Sequence, residues 1–320
     1  MMRRTTRPAA LLVAALLVVA ACGDDGDSLE TGDATAASPA TTAPAGTFPV
    51  TIRAANGAVT IEERPERIVS LSAALTEMLF AIGAGEQVVA VDEQSNHPPE
   101  APTTNLSGYT PNLEAIAGYD PDLVVASDDL GDLVAGLDAL DLPLLLLPAA
   151  RALDDTWQQV EQLGAATGHV ADAAAVVADG RSRIEALVGR LPERDEPLTY
   201  FHELDDQLFT ATSTTFIGQI YAMAGLRNIA DAADSDATGY PQLSAEYVLE
   251  QDPDLIFLAD TKCCAQSLAT VAARPGWDRL SAVRDGRVIE LDDDIASRWG
   301  PRVVDFLQVV VDATAAVPVR

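Results

Sequence analysis

Beyond residue 47 the chain alternates short apolar runs with stretches of helical period. Residues 67–71, 87–91, 122–126 and 142–147 read as buried strands, and 74–82 reads as a helix between the first two. Strands that alternate with helices imply parallel sheets covered on both faces. Residues 153–191 contain no proline and place Trp157, Val160 and Leu163, then Val176, Val177, Ile184, Leu187 and Val188, at helical spacing. Gly164, Thr167 and Gly168 divide this stretch into two helices. The second, over 171–191, is about 30 Å long at 1.5 Å per residue. It makes a stiff connector and leaves a cleft of nearly fixed width.

The two flanking halves read alike. Gly108-Tyr109-Thr110-Pro111-Asn112-Leu113-Glu114 is followed six residues after Glu114 by Asp120-Pro121-Asp122-Leu123. Gly239-Tyr240-Pro241-Gln242-Leu243-Ser244-Ala245-Glu246 is followed, again six residues on, by Asp252-Pro253-Asp254-Leu255. A looser match relates 80–85 to 221–225. The fold expected is therefore α/β: two similar lobes, each a parallel sheet flanked by helices, joined by one long rigid interlobe helix. The divisions are a leader over 1–21, a linker over 22–47, an N-terminal lobe over 48–150, a connector over 151–195 and a C-terminal lobe over 196–320.

Composition narrows the function. The 320 residues are 48% hydrophobic, ample for a core. A net charge of −29 excludes nucleic acid, whose phosphates need a basic footprint, and argues against adhesion to anionic lipid. Lys262 is the only lysine. No Gly-rich phosphate loop, nucleophile elbow or paired-His zinc helix is present, so the chain reads as no enzyme. It carries no cofactor or metal centre of its own.

The N-terminus adds a location. Arg3, Arg4 and Arg7 precede an apolar run over 8–21, a secretory leader too short for a permanent span. Val19-Ala20-Ala21-Cys22 resembles the bacterial lipobox, with Val19 where leucine is more usual, which implies lipidation at Cys22. Residues 23–47 are almost devoid of large apolar side chains and form a leash. The protein is expected outside the cell membrane, or in a periplasm, held by its lipid anchor alone.

The runs 67–77, Pro111-Asn112-Leu113-Glu114, 120–125, Leu243-Ser244-Ala245-Glu246, Pro275-Gly276-Trp277, 285–288 and Arg298-Trp299-Gly300-Pro301-Arg302 together resemble one family across about 50–315. It is that of the helical-backbone substrate-binding proteins of ABC importers for cobalamin, ferric siderophores and haem. The resemblance implies a monomeric receptor that hands a small-molecule metal chelate to a permease dimer driven by a separate ATPase. Ferric siderophore ranks first as ligand, then cobalamin, then haem; a tethered sensor without transport is the alternative. It also implies that Glu114 and Glu246, one on each lobe, dock onto permease arginines. Both fall early in expected helices, with Asn112 and Ser244 placed to cap them.

Loops at the carboxyl ends of strands supply the ligand site in such folds. The candidates are Ser72, Gln94, Tyr109, His202, Glu203, Tyr240, Lys262, Arg298 and Trp299. Tyr109 and Tyr240 offer facing aromatics, Arg298 and Lys262 offer cations for an anionic chelate, and His202 or Tyr240 offers an axial donor to haem. His97 is a further cleft candidate, His169 is expected at the surface, and Arg302 is expected to be structural. With Cys22 lipidated, Cys263 and Cys264 have no distant partner. A vicinal disulfide, free thiols and soft-metal thiolates are all open for them.

Overall fold

The structure, a computed structural model, describes residues 46–319. The leader, Cys22 and nearly all of the linker lie outside the described residues. The described chain opens with a hairpin, β1 (Val50–Ala54) and β2 (Gly57–Ile61), antiparallel, with Val50 opposite Ile61. This hairpin lies before the first strand expected from sequence, although alternating residues on either side of Asn56-Gly57 carry its signal. Its Ile52 and Ile61 are buried and belong to the main core.

The first sheet follows as β3 (Ile68–Leu71), β4 (Val88–Val91), β5 (Leu123–Ala126) and β6 (Leu144–Leu146). Helices α1 (Ala73–Ala81), α2 (Leu113–Ala117) and α3 (Leu133–Asp138) connect them. The connector is α4 (Leu153–Thr167) and α5 (Val170–Val188), divided at Gly168, which takes the left-handed conformation at φ +81. The second sheet contains β7 (Thr199–Glu203), β8 (Arg227–Asn228), β9 (Leu255–Leu258) and β10 (Val288–Glu290). Between its strands lie α6 (Phe216–Met223), α7 (Ala245–Gln251), α8 (Leu268–Ala272) and α9 (Ser281–Arg284). The chain ends with α10 (Asp293–Ser297) and α11 (Val303–Ala316).

Both sheets are wholly parallel. Their strand orders are β4-β3-β5-β6 and β8-β7-β9-β10, so each lobe runs second, first, third, fourth. The internal repeat is thus a repeat of topology, and its residues have a physical role. Asp120 and Asp252 both adopt left-handed backbone, φ +51 and +41, just after α2 and at the end of α7. Short polar side chains tolerate that conformation, and the following proline cannot continue the helix. The second aspartate then anchors the first strand of its lobe. Asp122 accepts from the backbone N–H groups of Glu66 and Arg67 at 2.7 and 3.0 Å, and Asp254 from that of Thr199 at 2.9 Å.

β5 and β9 are buried at every position, as central strands covered on both faces should be. The main core runs from β3 and β5 through α1, α4 and α5 to β7, β9 and α11 without interruption. Trp157 on α4 is its pivot. A Cβ at Gly180 of α5 would stand 2.5 Å from the Trp157 ring, so only glycine lets the two helices meet. The lobes are therefore welded by shared apolar packing as well as by a stiff helix. Prising apart even about 400 Å² of that contact costs roughly 10 kcal/mol at 25 cal/mol per Å².

Candidate functional site

The carboxyl ends of the first sheet open into a cleft of about 360 Å³ closed on its far side by α10 and the residues after it. Ser72 follows β3, Asp92 and Gln94 follow β4, and Ser127 and Asp128 follow β5. Tyr109 stands on the same wall, 70% exposed and free to meet a ligand. The opposite wall is Asp293, Asp294, Ser297, Arg298 and Trp299. Five of the sequence candidates thus meet at one cleft: Ser72, Gln94, Tyr109, Arg298 and Trp299.

Arg298 is not a free cation. Its Nη1 donates to Glu77 Oε1 and Asn96 Oδ1, and its Nη2 to the Gln94 carbonyl and Asp294 Oδ1, all at 2.9 Å. Arg302, one turn on, donates to both oxygens of the same Glu77 at 2.9 and 2.5 Å, the structural part expected of it. Glu77 lies on α1 in the first lobe and its side chain is 2% exposed, so one buried carboxylate clamps two guanidiniums of the second lobe. Trp299 extends the clamp, donating from Nε1 to Gln159 Oε1 of α4 at 3.0 Å.

Lys262 departs from expectation. It does not line the cleft, and its Nζ is held by Asp292 and Asp294 at 2.7 and 2.8 Å. The cleft that remains is acidic: Asp92, Asp128, Asp293 and Asp294 face one paired arginine. Asp92 is almost fully buried, and burial pushes its carboxyl above the ordinary range against the bond it accepts from Ser95 at 2.5 Å.

His202 and Glu203 are corrections. Both close β7 and are fully buried, so neither reaches the cleft. The His202 Nδ1 sits 2.7 Å from the Tyr221 hydroxyl, and burial lowers its pKa to about 3. It is a neutral core histidine and offers nothing to a haem iron. Glu203 binds both Arg274 nitrogens at 2.6 and 2.5 Å. Beside it Asp260, also fully buried, has no donor to either oxygen, and burial and the Glu203 charge raise its pKa to about 7.

Tyr240 is half-exposed but lies outside the cleft lining, so the expected facing pair with Tyr109 does not form there. His97 lines a different cavity, with Phe80 and Pro301. His169 is partly buried instead of lying at the surface, bonded to Gln87 and Asp172 beside α5. Cys263 and Cys264 are joined as a vicinal disulfide. Glu114 and Glu246 are both exposed in first helical turns, and Asn112 and Ser244 accept from Ala115 N and Tyr247 N as expected.

The cleft loops expected from sequence at 92–97 and 127–129 supply Asp92 and Asp128; sequence reasoning passed over Glu77, Asp293 and Asp294. A signal existed for Glu77: two arginines spaced i, i+4 in an acid-rich chain need a buried anion. Among the described residues no cluster has the makings of a metal site, and no helix is long and apolar enough to cross a membrane.

Comparison with known proteins agrees with this geometry. The family described as "Periplasmic binding protein" matches residues 68–295. The chain is 32% identical over 277 residues to a cobalamin-binding protein of Halobacterium salinarum, covering 83% of this chain and 74% of that one. It is 28% identical over 315 residues to an uncharacterized ABC transporter substrate-binding lipoprotein of Bacillus subtilis, covering 95% of each. The crystal structure of the periplasmic vitamin B12 binding protein of Vibrio cholerae matches with a TM-score of 0.66 at 28% identity, covering 78% of this chain and 96% of that one. Like-ordered twin sheets and similarity across most of the length lead to one conclusion: the chain belongs to the periplasmic binding protein family, as a substrate-binding protein of ABC import and not an enzyme.

Proposed function

We propose that the chain is a lipid-anchored receptor, tethered through Cys22 outside the cytoplasmic membrane, that captures a cobalamin-type corrinoid and delivers it to an ABC permease dimer with a separate ATPase. The observation that carries the ligand choice is the acidity of the cleft. Arg298 and Lys262, the cations on which an anionic ferric chelate would depend, are both engaged by carboxylates of the protein itself. A ferric siderophore, the leading reading from sequence alone, meets Asp92, Asp128, Asp293 and Asp294 instead. A corrinoid has a broad, largely neutral, amide-rimmed face, which suits Tyr109 and Trp299 on opposite walls and carboxylates as hydrogen-bond acceptors between them. The named ligand of the Halobacterium and Vibrio relatives supports the same choice.

In this reading Ser72, Gln94, Tyr109 and Trp299 contact ligand, Arg298 shapes the wall, and Glu114 and Glu246 meet the permease. Tyr240, half-exposed on the second lobe, contacts the part of a large ligand that protrudes from the cleft. The test is titration of the purified protein with cyanocobalamin, haemin, a ferric hydroxamate and a ferric catecholate, followed by absorbance and calorimetry. Micromolar or tighter binding of cyanocobalamin alone is expected. Binding of a ferric chelate in its place overturns the ligand choice, and binding of none favours a sensor.

A further inference from the structure

We propose that Cys263–Cys264 is a thiol–disulfide exchange site that takes a dithiol reductant as co-substrate and sets the order of the cleft's second wall. The pair sits on a surface loop after β9, Cys263 exposed and Cys264 half-buried, so one sulfur is open to an attacking thiolate. The side chain that ties most of the loop to the cleft is Asp293. Asp293 accepts from Thr261 N and Oγ1 at 2.8 Å, from Lys262 N at 2.9 Å and from Cys263 N at 3.0 Å. That same aspartate opens α10 and lines the cleft. Lys262 adds a second tie, through Asp294, which also accepts from Arg298 and from Asn96 of the opposite lobe.

Within the loop, Ala265 is held at φ +53, a left-handed conformation disfavoured for a residue with a Cβ. Beneath it the buried Asp260 carboxyl has no donor, while the Asp260 carbonyl holds the N–H groups of Cys264 and Gln266. The closed ring of the disulfide keeps Ala265 in that conformation. Reduction removes it. A dithiol gives two electrons and two protons to the bridge, leaving two thiols on the protein and a disulfide on the reductant. With the ring open, Ala265 relaxes, the N–H groups of 261–263 leave Asp293, and α10 loses its fixed register against the cleft.

The affinity part of this proposal rests on the corrinoid reading; the structural part does not. Full-length protein is compared oxidised, after dithiothreitol and desalting under argon, and after reoxidation, alongside the double variant C263S/C264S. Peptide-resolved mass spectrometry separates this pair from Cys22. The expected result is a peptide two hydrogens lighter before reduction, and hydrogen exchange at 260–266 and 292–298 accelerated at least tenfold on reduction. Cyanocobalamin affinity falls several-fold, all three effects reverse on reoxidation, and the variant behaves as the reduced form and ignores reductant. Absence of the bridge in oxidised protein, or reduction without change in exchange, overturns the proposal. Altered exchange in a protein that binds no cyanocobalamin in either state sinks the ligand choice and leaves the switch standing.

Discussion

Glu77 is the residue on which the geometry of the cleft depends most heavily. Its carboxylate receives three hydrogen bonds from Arg298 and Arg302, which come from the other lobe. The three side chains are 2%, 11% and 20% exposed, so water does little to screen them. Replacing Glu77 by Gln keeps the shape, removes the charge and leaves two guanidiniums facing one another with a single neutral acceptor between them. Removing one partner of a buried pair costs about 3–5 kcal/mol. For a body of this size each kcal/mol moves the midpoint by about 2 °C, so E77Q should melt roughly 6–10 °C lower by circular dichroism. The decisive measurement is a double-mutant cycle with R302Q. Groups sharing one network should show a coupling of about 1–3 kcal/mol, whereas independent sites add within about 0.5 kcal/mol. Additivity, or a midpoint shift under about 2 °C, refutes the clamp. A further consequence concerns ligand: E77Q releases Arg298 toward the cleft, so a ferric catecholate excluded by the wild type should gain affinity.

Three other outcomes follow from the same contacts. The Asp260 carboxyl, ordinarily near 3.8, stands at about 7 when folded, so the folded chain holds a proton that the unfolded one has lost. Its contribution is present below 3.8 and disappears as pH rises to 7, at up to about 1.4 kcal/mol per pH unit, so D260N should stabilise at pH 8 and converge on wild type near pH 4 in denaturant titrations. His202 runs the other way: with its pKa lowered from 6.5 to about 3, stability falls as pH drops below 6.5, and H202F should flatten that limb. Charge reversal of Glu114 and Glu246 to Arg should abolish cellular uptake while leaving binding within about twofold, and normal uptake by the double variant contradicts the docking role.

The first sheet was legible because buried parallel strands are largely apolar runs, and 67–71, 87–91, 122–126 and 142–147 are such runs; the second was expected only through the internal repeat. The repeat was legible because each copy performs one local task. An aspartate turns the chain, a proline ends the helix and a second aspartate anchors a strand. What escaped was long-range pairing. Arg298 and Lys262 looked like cleft cations because a one-dimensional reading shows a charge without its partner, and Glu77 is 221 positions away from Arg298. His202 and Glu203 were misplaced for a related reason. They end a strand, where ligand loops begin, but the last residues of β7 are still inside the sheet.

The same pairing decides how the charge of −29 acts on a ligand. Scarce cations left free at the cleft would draw anions in. Instead Lys262, Arg274, Arg298 and Arg302 are each closed against a carboxylate of the protein. The field at the cleft mouth is then set by Asp128, Asp293 and the acidic surface beyond, and it repels anions over about 8 Å at physiological ionic strength. A neutral corrinoid passes through that field unaffected. Its association rate should change little between 20 and 500 mM salt in stopped-flow measurements, while any anionic chelate that binds at all should bind faster as salt is added. An association rate that falls steeply with salt would mean that an exposed cation steers the ligand. The internal pairing of Arg298 and Lys262 would then be the wrong account of the cleft.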